Sequence, residues 1–319
     1  MRTVAMVILV LIMTAASSGA SAAQEISDMH RPVVIPETEV FDVHSVRADA
    51  DYQIWVASPM AGMRPFPTGP RKCLYVLDAN LFFATAVEMT RLMSQLYGEL
   101  PPLLVVGIAY DTSVPPLQGE LRARDFTPTA DAGFAAMART MPGAPQPTLP
   151  EGRRFGRALE FLDFLTAEVR PFVEQRFEVA EGGSMLFGSS LGGLFALYAM
   201  MERPRAFDAY IAVSPAIWWD NAFLLNREAE LAASRDDLAA TLFMAVGGGE
   251  ERADIPALAP FRMVSNVAAL AERLNARDHK SLQMVTFVPE GESHTTVVPV
   301  ALTRGLRYVL SPDRRRPAP

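Results

Sequence analysis

An α/β fold is expected, with a mostly parallel central sheet, helices on both faces and an N-terminal antiparallel hairpin. Three patterns predict it. Apolar β-type runs alternate with helical periodicity along most of the chain. Those runs are continuously apolar rather than alternating, as in strands covered on both faces. The first two runs, Glu39–Val46 and Tyr52–Ser58, are joined only by the polar turn Arg47–Asp51, so they pair as a hairpin. With 319 residues, half of them apolar and 20% charged, the chain is long enough to bury one large core.

The elements follow in order. Cys73-Leu74-Tyr75-Val76-Leu77 is a buried strand, and a helix follows from about Leu81 to Tyr97. Leu103–Ala109 is the next strand, and Ser184–Phe187, Ala209–Val213, Leu242–Val246 and Leu282–Val288 continue the series. Helical patterns lie near Phe155–Phe177, Leu191–Glu202, Asn221–Ala233 and Leu258–Ala276, with a last helix from about Thr296 to Val309. One segment breaks the alternation. Asp111–Gly152 holds seven prolines and four glycines, and its periodicity is weak. It follows the C-terminal end of a strand, the edge where open α/β sheets bind ligands, so it is expected to be an irregular insertion (111–152) over the mouth of a site. A solvated excursion without a role is the alternative.

Residues 1–23 are expected to be a signal peptide. Arg2 supplies a positive start, Val4–Met13 is apolar, and Ala20-Ser21-Ala22 or Ser21-Ala22-Ala23 offers a cleavage site. The apolar run is too short to span a bilayer, so no membrane anchor is expected after cleavage. A periplasmic or secreted protein follows, with residues 24–311 as a single domain and 312–319, including Arg314–Arg316, as a disordered tail. Cys73 is the sole cysteine, which excludes an intramolecular disulfide and reads as a small buried side chain. The formal net charge is −7 and no basic stripe is present, which argues against a nucleic-acid partner.

Chemistry is concentrated at Gly188-Ser189-Ser190-Leu191-Gly192-Gly193. The pattern G-x-S-x-G is common by itself. Here it follows the apolar run Met185-Leu186-Phe187 and opens the helical run Leu194–Ala199, the strand, tight turn and helix of a nucleophile elbow. Ser190 is the candidate nucleophile; Ser189 does not satisfy the spacing. A serine hydroxyl needs a base. Of four histidines, His30 lies just past the leader, His44 in the hairpin and His279 in a helix-to-strand turn. Only His294 follows the C-terminal end of a strand, after the serine in chain order. The third member should be a carboxylate after the penultimate strand, which ends in Gly247-Gly248-Gly249-Glu250-Glu251. Glu250 is the choice, with Glu251 and Asp254 as competitors. Two backbone N–H donors should hold an oxyanion: Leu191, after the nucleophile, and Asn80, in the loop Asp78-Ala79-Asn80. No ligand cluster for a metal and no Gly-rich loop at a first strand is present, so no cofactor is implied.

The chain resembles the bacterial putative-esterase family of the α/β-hydrolase fold, which contains siderophore esterases. The markers are Val76–Asn80, Arg124-Asp125-Phe126-Thr127-Pro128, the elbow, Ser214-Pro215-Ala216-Ile217-Trp218-Trp219, Val246–Glu250 and Glu292-Ser293-His294. The family usually has Asp-Gly where this chain has Asp78-Ala79, and Gly-His-Ser where it has Ser189 before the nucleophile. The resemblance implies an exported serine esterase working through an acyl-enzyme on a small-molecule ester, with a catecholate siderophore as the leading substrate. A general carboxylesterase, a feruloyl-type esterase, an acyltransferase and a non-catalytic binding protein on the same scaffold are the alternatives. Trp218 and Trp219 follow a strand at the catalytic edge and are candidates to wall an acyl pocket, or to pack in the core. Arg124, with Arg122, is a candidate to hold an anionic or catecholate-bearing substrate.

Overall fold

The computed structural model describes residues 32–60, 69–96, 98–113, 115–140, 146–252, 254–255 and 259–311. The expected leader and tail lie outside them. The hairpin forms as β1 (Thr38–Ser45) and β2 (Ala50–Ala57). Next come β3 (Arg71–Val76), α1 (Ala79–Gln95) and β4 (Leu103–Ala109). The proline-rich segment then contributes α2 (Pro115–Phe126) and α3 (Ala132–Thr140).

Two helices, α4 (Ala158–Phe164) and α5 (Arg170–Arg176), are joined by a π-helical turn at Leu165–Val169. The remainder is β5 (Val179–Ser189), α6 (Leu191–Glu202), β6 (Ala209–Val213), α7 (Trp219–Ala232), β7 (Ala240–Ala245), α8 (Met263–Ala276), β8 (Leu282–Phe287) and α9 (Val297–Leu310).

The eight strands form one sheet in the order β1-β2-β4-β3-β5-β6-β7-β8. Pairing is antiparallel from β1 to β2 and from β2 to β4, and parallel elsewhere. The inner strands β4, β6 and β7 are buried at every residue, as their unbroken apolar runs require. The core lies in two layers. Residues of α1 and α9 (Phe83, Val87, Leu302, Leu306) pack on one face, and those of α4, α6 and α8 (Phe161, Phe195, Leu270) on the other. Helix α6, behind the elbow, is buried around almost its whole circumference, so its position is set by packing on every side. Cys73 is fully buried in β3, and desolvation pushes its thiol up to about 12, so it stays protonated and inert.

The insertion departs from expectation: it is mainly helical. Pro115 and Pro116 open α2, where a proline costs no helical hydrogen bond, and Pro128 falls between helices. Arg124, read as a substrate ligand, is also corrected. It is 1% exposed; its Nε donates to Asp125 Oδ1 at 2.7 Å and Nη2 to the Tyr52 hydroxyl at 3.0 Å. Tyr52 and Tyr110 donate to Asp125 Oδ2 at 2.8 and 3.2 Å, so the carboxylate is held by three side chains. The network fastens α2 to β2 and β4. Arg124→Ala would leave Asp125 charged and buried without its cation. It should lower stability by about 3–5 kcal/mol in a denaturant melt, with KM unchanged in the folded fraction.

Candidate active site

The site is assembled at the C-terminal edge of the parallel strands from three loops. Ser190 stands between β5 and α6 with φ 60 and ψ −119, a strained backbone of the kind held at functional sites. The turn needs glycine at 188, where a Cβ would lie 2.1 Å from the Gly192 carbonyl oxygen. Ser190 N–H donates to Val213 O at 2.9 Å and its carbonyl accepts from Leu194 and Ala216, so the strain is fixed by neighbouring chain. Leu191 opens α6, and its N–H has no partner within the helix.

The second and third loops are laced together. Gly248 N–H donates to Pro289 O and Gly249 N–H to Glu292 O, both at 2.9 Å, which ties the loop after β7 to the loop after β8. A Cβ on Gly247 would meet Glu292 O at 2.3 Å, so the lacing depends on the glycine run. The result brings Glu250 to His294, with Oε2 and Nδ1 2.6 Å apart. Glu250 is 4% exposed, and its other oxygen accepts from Gly247 N–H at 2.7 Å and from Ser214 Oγ at 2.5 Å. A carboxylate only accepts, so the proton between them belongs on His294 Nδ1 and Nε2 is left as the free base. The competing carboxylates are used elsewhere: Glu251 accepts from Ser265 N–H and Oγ, and Asp254 pairs with Arg252. His44 pairs with Asp51 across the hairpin, and His30 lies outside the described residues.

Ser190, Glu250 and His294 line one cavity of about 410 Å³ together with Trp218, Gly249, Phe261, Met263, Ser293 and Thr295. Trp218 and Phe261 form an aromatic wall, with centroids 4.7 Å apart. Trp219 is a correction. It is fully buried, packs on Phe134 of α3 and on Phe155, and donates through Nε1 to Thr129 O at 3.1 Å. Left-handed backbone at Asp220, Asn221 and Ala222 turns the chain sharply just after the two tryptophans.

Asn80 uses its side chain to hold the end of β4. Its Nδ2 donates to Tyr110 O at 3.0 Å and its Oδ1 accepts from Tyr110 N–H at 2.9 Å. Its backbone N–H lies in the first turn of α1, ahead of the first helical hydrogen bond, which Leu81 makes to Asp78 O. Ser214, Gly249 and Ser293 entered the sequence reading only inside motifs, with no role at the site, and Phe261, Met263 and Thr295 did not enter it. Ser214 carried a further signal, as the first residue after β6 at the same edge. Phe261, Met263 and Thr295 lie on loop and helix-start positions with no distinguishing pattern.

The fold and this constellation define an α/β-hydrolase of the serine ester hydrolase class. Residues 125–285 match the family described as Putative esterase. The chain is 31% identical over 287 residues to the ferri-bacillibactin esterase BesA of Bacillus subtilis, covering 88% of this chain and 91% of that protein. It is 30% identical over 302 residues to the siderophore triacetylfusarinine C esterase of Aspergillus fumigatus, covering 88% and 95%. Among solved structures, the BES protein from Bacillus cereus superposes with a TM-score of 0.71 at 30% identity, over 89% of this chain and 99% of that one. The chain belongs to the putative-esterase family.

Proposed function

We propose that the protein hydrolyses the ester backbone of a siderophore, a catecholate one in the first instance, through an acyl-enzyme on Ser190. His294 Nε2 takes the Ser190 proton as Oγ attacks the ester carbonyl, and returns it to the departing alcohol. Water then enters by the same base and releases the acid. Glu250 fixes the imidazole tautomer and offsets the charge that forms on it. The N–H groups of Leu191 and Asn80 hold the oxyanion, each contributing about 3–4 kcal/mol to the lowered barrier. The observation that carries this is the 2.6 Å contact of Glu250 with His294 in a cavity that Ser190 also lines. Support for the substrate comes from the names of the two relatives and from the aromatic wall of the cavity.

A hydrolysis screen over cyclic tri-catechol esters, feruloyl esters and short acyl esters tests the substrate. The expected order of kcat/KM places the catechol esters first; preference for short acyl chains would instead mark a general carboxylesterase. Trp218→Ala should raise KM for aromatic esters by about tenfold, the worth of a lost ring contact of 1–1.5 kcal/mol, and change short acyl esters little. We further propose export to the periplasm or beyond, supported by the charged start, the apolar run and the small residues near Ala22. N-terminal sequencing of the native protein should begin at Ala23 or Gln24, and an intact Met1 would contradict export by this route.

A further inference from the structure

Beside the elbow lies a buried charge that the esterase chemistry leaves without a role. Asp78 follows β3, is 3% exposed and has a left-handed backbone with φ 51. Its Oδ1 accepts from Arg122 Nε at 2.7 Å; its Oδ2 is buried and has no hydrogen-bond partner among the described residues. A Cβ on Gly192 would lie 3.5 Å from that Oδ2. The carboxylate thus adjoins the first turn of α6, next to Leu191, and its own chain continues directly into Ala79 and Asn80. The two chain segments that carry the N–H groups assigned to the oxyanion thus both adjoin Asp78, one in space at Gly192 and the other in sequence through Ala79.

A carboxylate in that place opposes the reaction. Negative charge grows on the substrate oxygen as Ser190 attacks, and a fixed anion in a water-poor site raises the cost of that charge. The guanidinium that cancels it comes from α2, within the insertion. Arg122 is also held over the Phe126 ring, 5.6 Å from its centroid, so its head is placed from two sides. Burial raises the Asp78 pKa and Arg122 works against that rise.

We propose that Arg122 is a positioning residue of the esterase: by holding and neutralising Asp78 it lets the oxyanion donors act free of a neighbouring negative charge, and so makes turnover depend on a docked α2. This rests on the assignment of Leu191 and Asn80 as oxyanion donors.

The two sides of the pair should respond unequally in kcat of the folded protein, a readout that lost stability alone does not move. Arg122→Gln keeps an N–H donor toward Asp78 but removes the cation. Asp78→Asn removes the anion, and Asn tolerates the left-handed backbone. With p-nitrophenyl butyrate as probe, Arg122→Gln should lower kcat about tenfold or more, while KM stays within about twofold. Asp78→Asn should keep kcat within about threefold of the wild type, and Asp78→Asn/Arg122→Gln should regain most of what Arg122→Gln loses. Arg122→Lys, which retains the charge, should stay near the wild type.

Equal losses in Arg122→Gln and Asp78→Asn, or a double variant as slow as Arg122→Gln, would overturn the proposal. If Arg122→Gln does not fold, Asp78→Asn and the double variant decide: fast turnover in both supports it, and slow turnover in either folded protein overturns it. Wild-type hydrolysis that is lost in Ser190→Ala tests the esterase chemistry independently, so the two failures are distinguishable.

Discussion

Ser190→Ala should reduce ester hydrolysis by about 10⁴-fold or more while the protein remains folded. In the proposed mechanism this side chain supplies the atom that bonds to substrate. The turn around it is held by backbone contacts, from Ser190 N–H to Val213 O and from Leu194 N–H to Ser190 O, and these survive the substitution. Gly188, which the close approach to Gly192 requires, is also untouched. A circular dichroism spectrum and melting temperature near those of the wild type, with turnover at background, is the expected pair of results. Residual activity within about tenfold of the wild type would mean that the nucleophile is elsewhere.

The second large effect is on Glu250, and its direction follows from which donors already face which oxygen. Gly247 N–H and Ser214 Oγ both point at Oε1. In Glu250→Gln the amide oxygen is drawn to that side, because two donors meet it there, and the NH₂ group is turned toward His294 Nδ1. Nδ1 must then accept, which places the imidazole proton on Nε2 and removes the base that Ser190 needs. A fall in kcat of about 10³–10⁴-fold is expected, with little change in KM, since the wrong tautomer affects proton transfer and not substrate contact. Glu251→Gln and Asp254→Asn serve as controls and should turn over substrate normally, because their carboxylates serve Ser265 and Arg252.

Much of this site could be read from the sequence because its parts obey local rules. The elbow is a short run of strand, tight turn and helix, and its glycine at 188 is dictated by a contact inside that same stretch, with the Gly192 carbonyl. His294 was separable from the other histidines by its place after a strand end. Glu250 was harder. Three carboxylates lie within five residues of each other, and what selects one of them is the lacing of Gly247–Gly249 to Pro289–Glu292, a contact between segments some forty residues apart.

The misread residues share one cause. Arg124 and Trp219 belong to polar or aromatic motifs that suggest a ligand, but which way a side chain faces depends on tertiary packing. A cluster of Tyr52, Tyr110 and Asp125 encloses Arg124, and Trp219 is held inward by Phe134, Phe155 and the Thr129 carbonyl, all distant from it in sequence. The helices of the insertion were hidden by prolines. Two of these sit in the first turn of α2, where proline is compatible with a helix, and a count of prolines does not distinguish that position from a loop.

At the centre of the account is an alcohol at residue 190 made reactive by an imidazole that a buried carboxylate orients. Peptide mapping by mass spectrometry after exposure to a fluorophosphonate probes this most directly. One phosphonyl adduct per chain, on the peptide carrying Ser190, is the predicted outcome, with adduct formation slowed strongly in Glu250→Gln and His294→Ala. An unmodified wild-type chain, or an adduct on another residue, would contradict it.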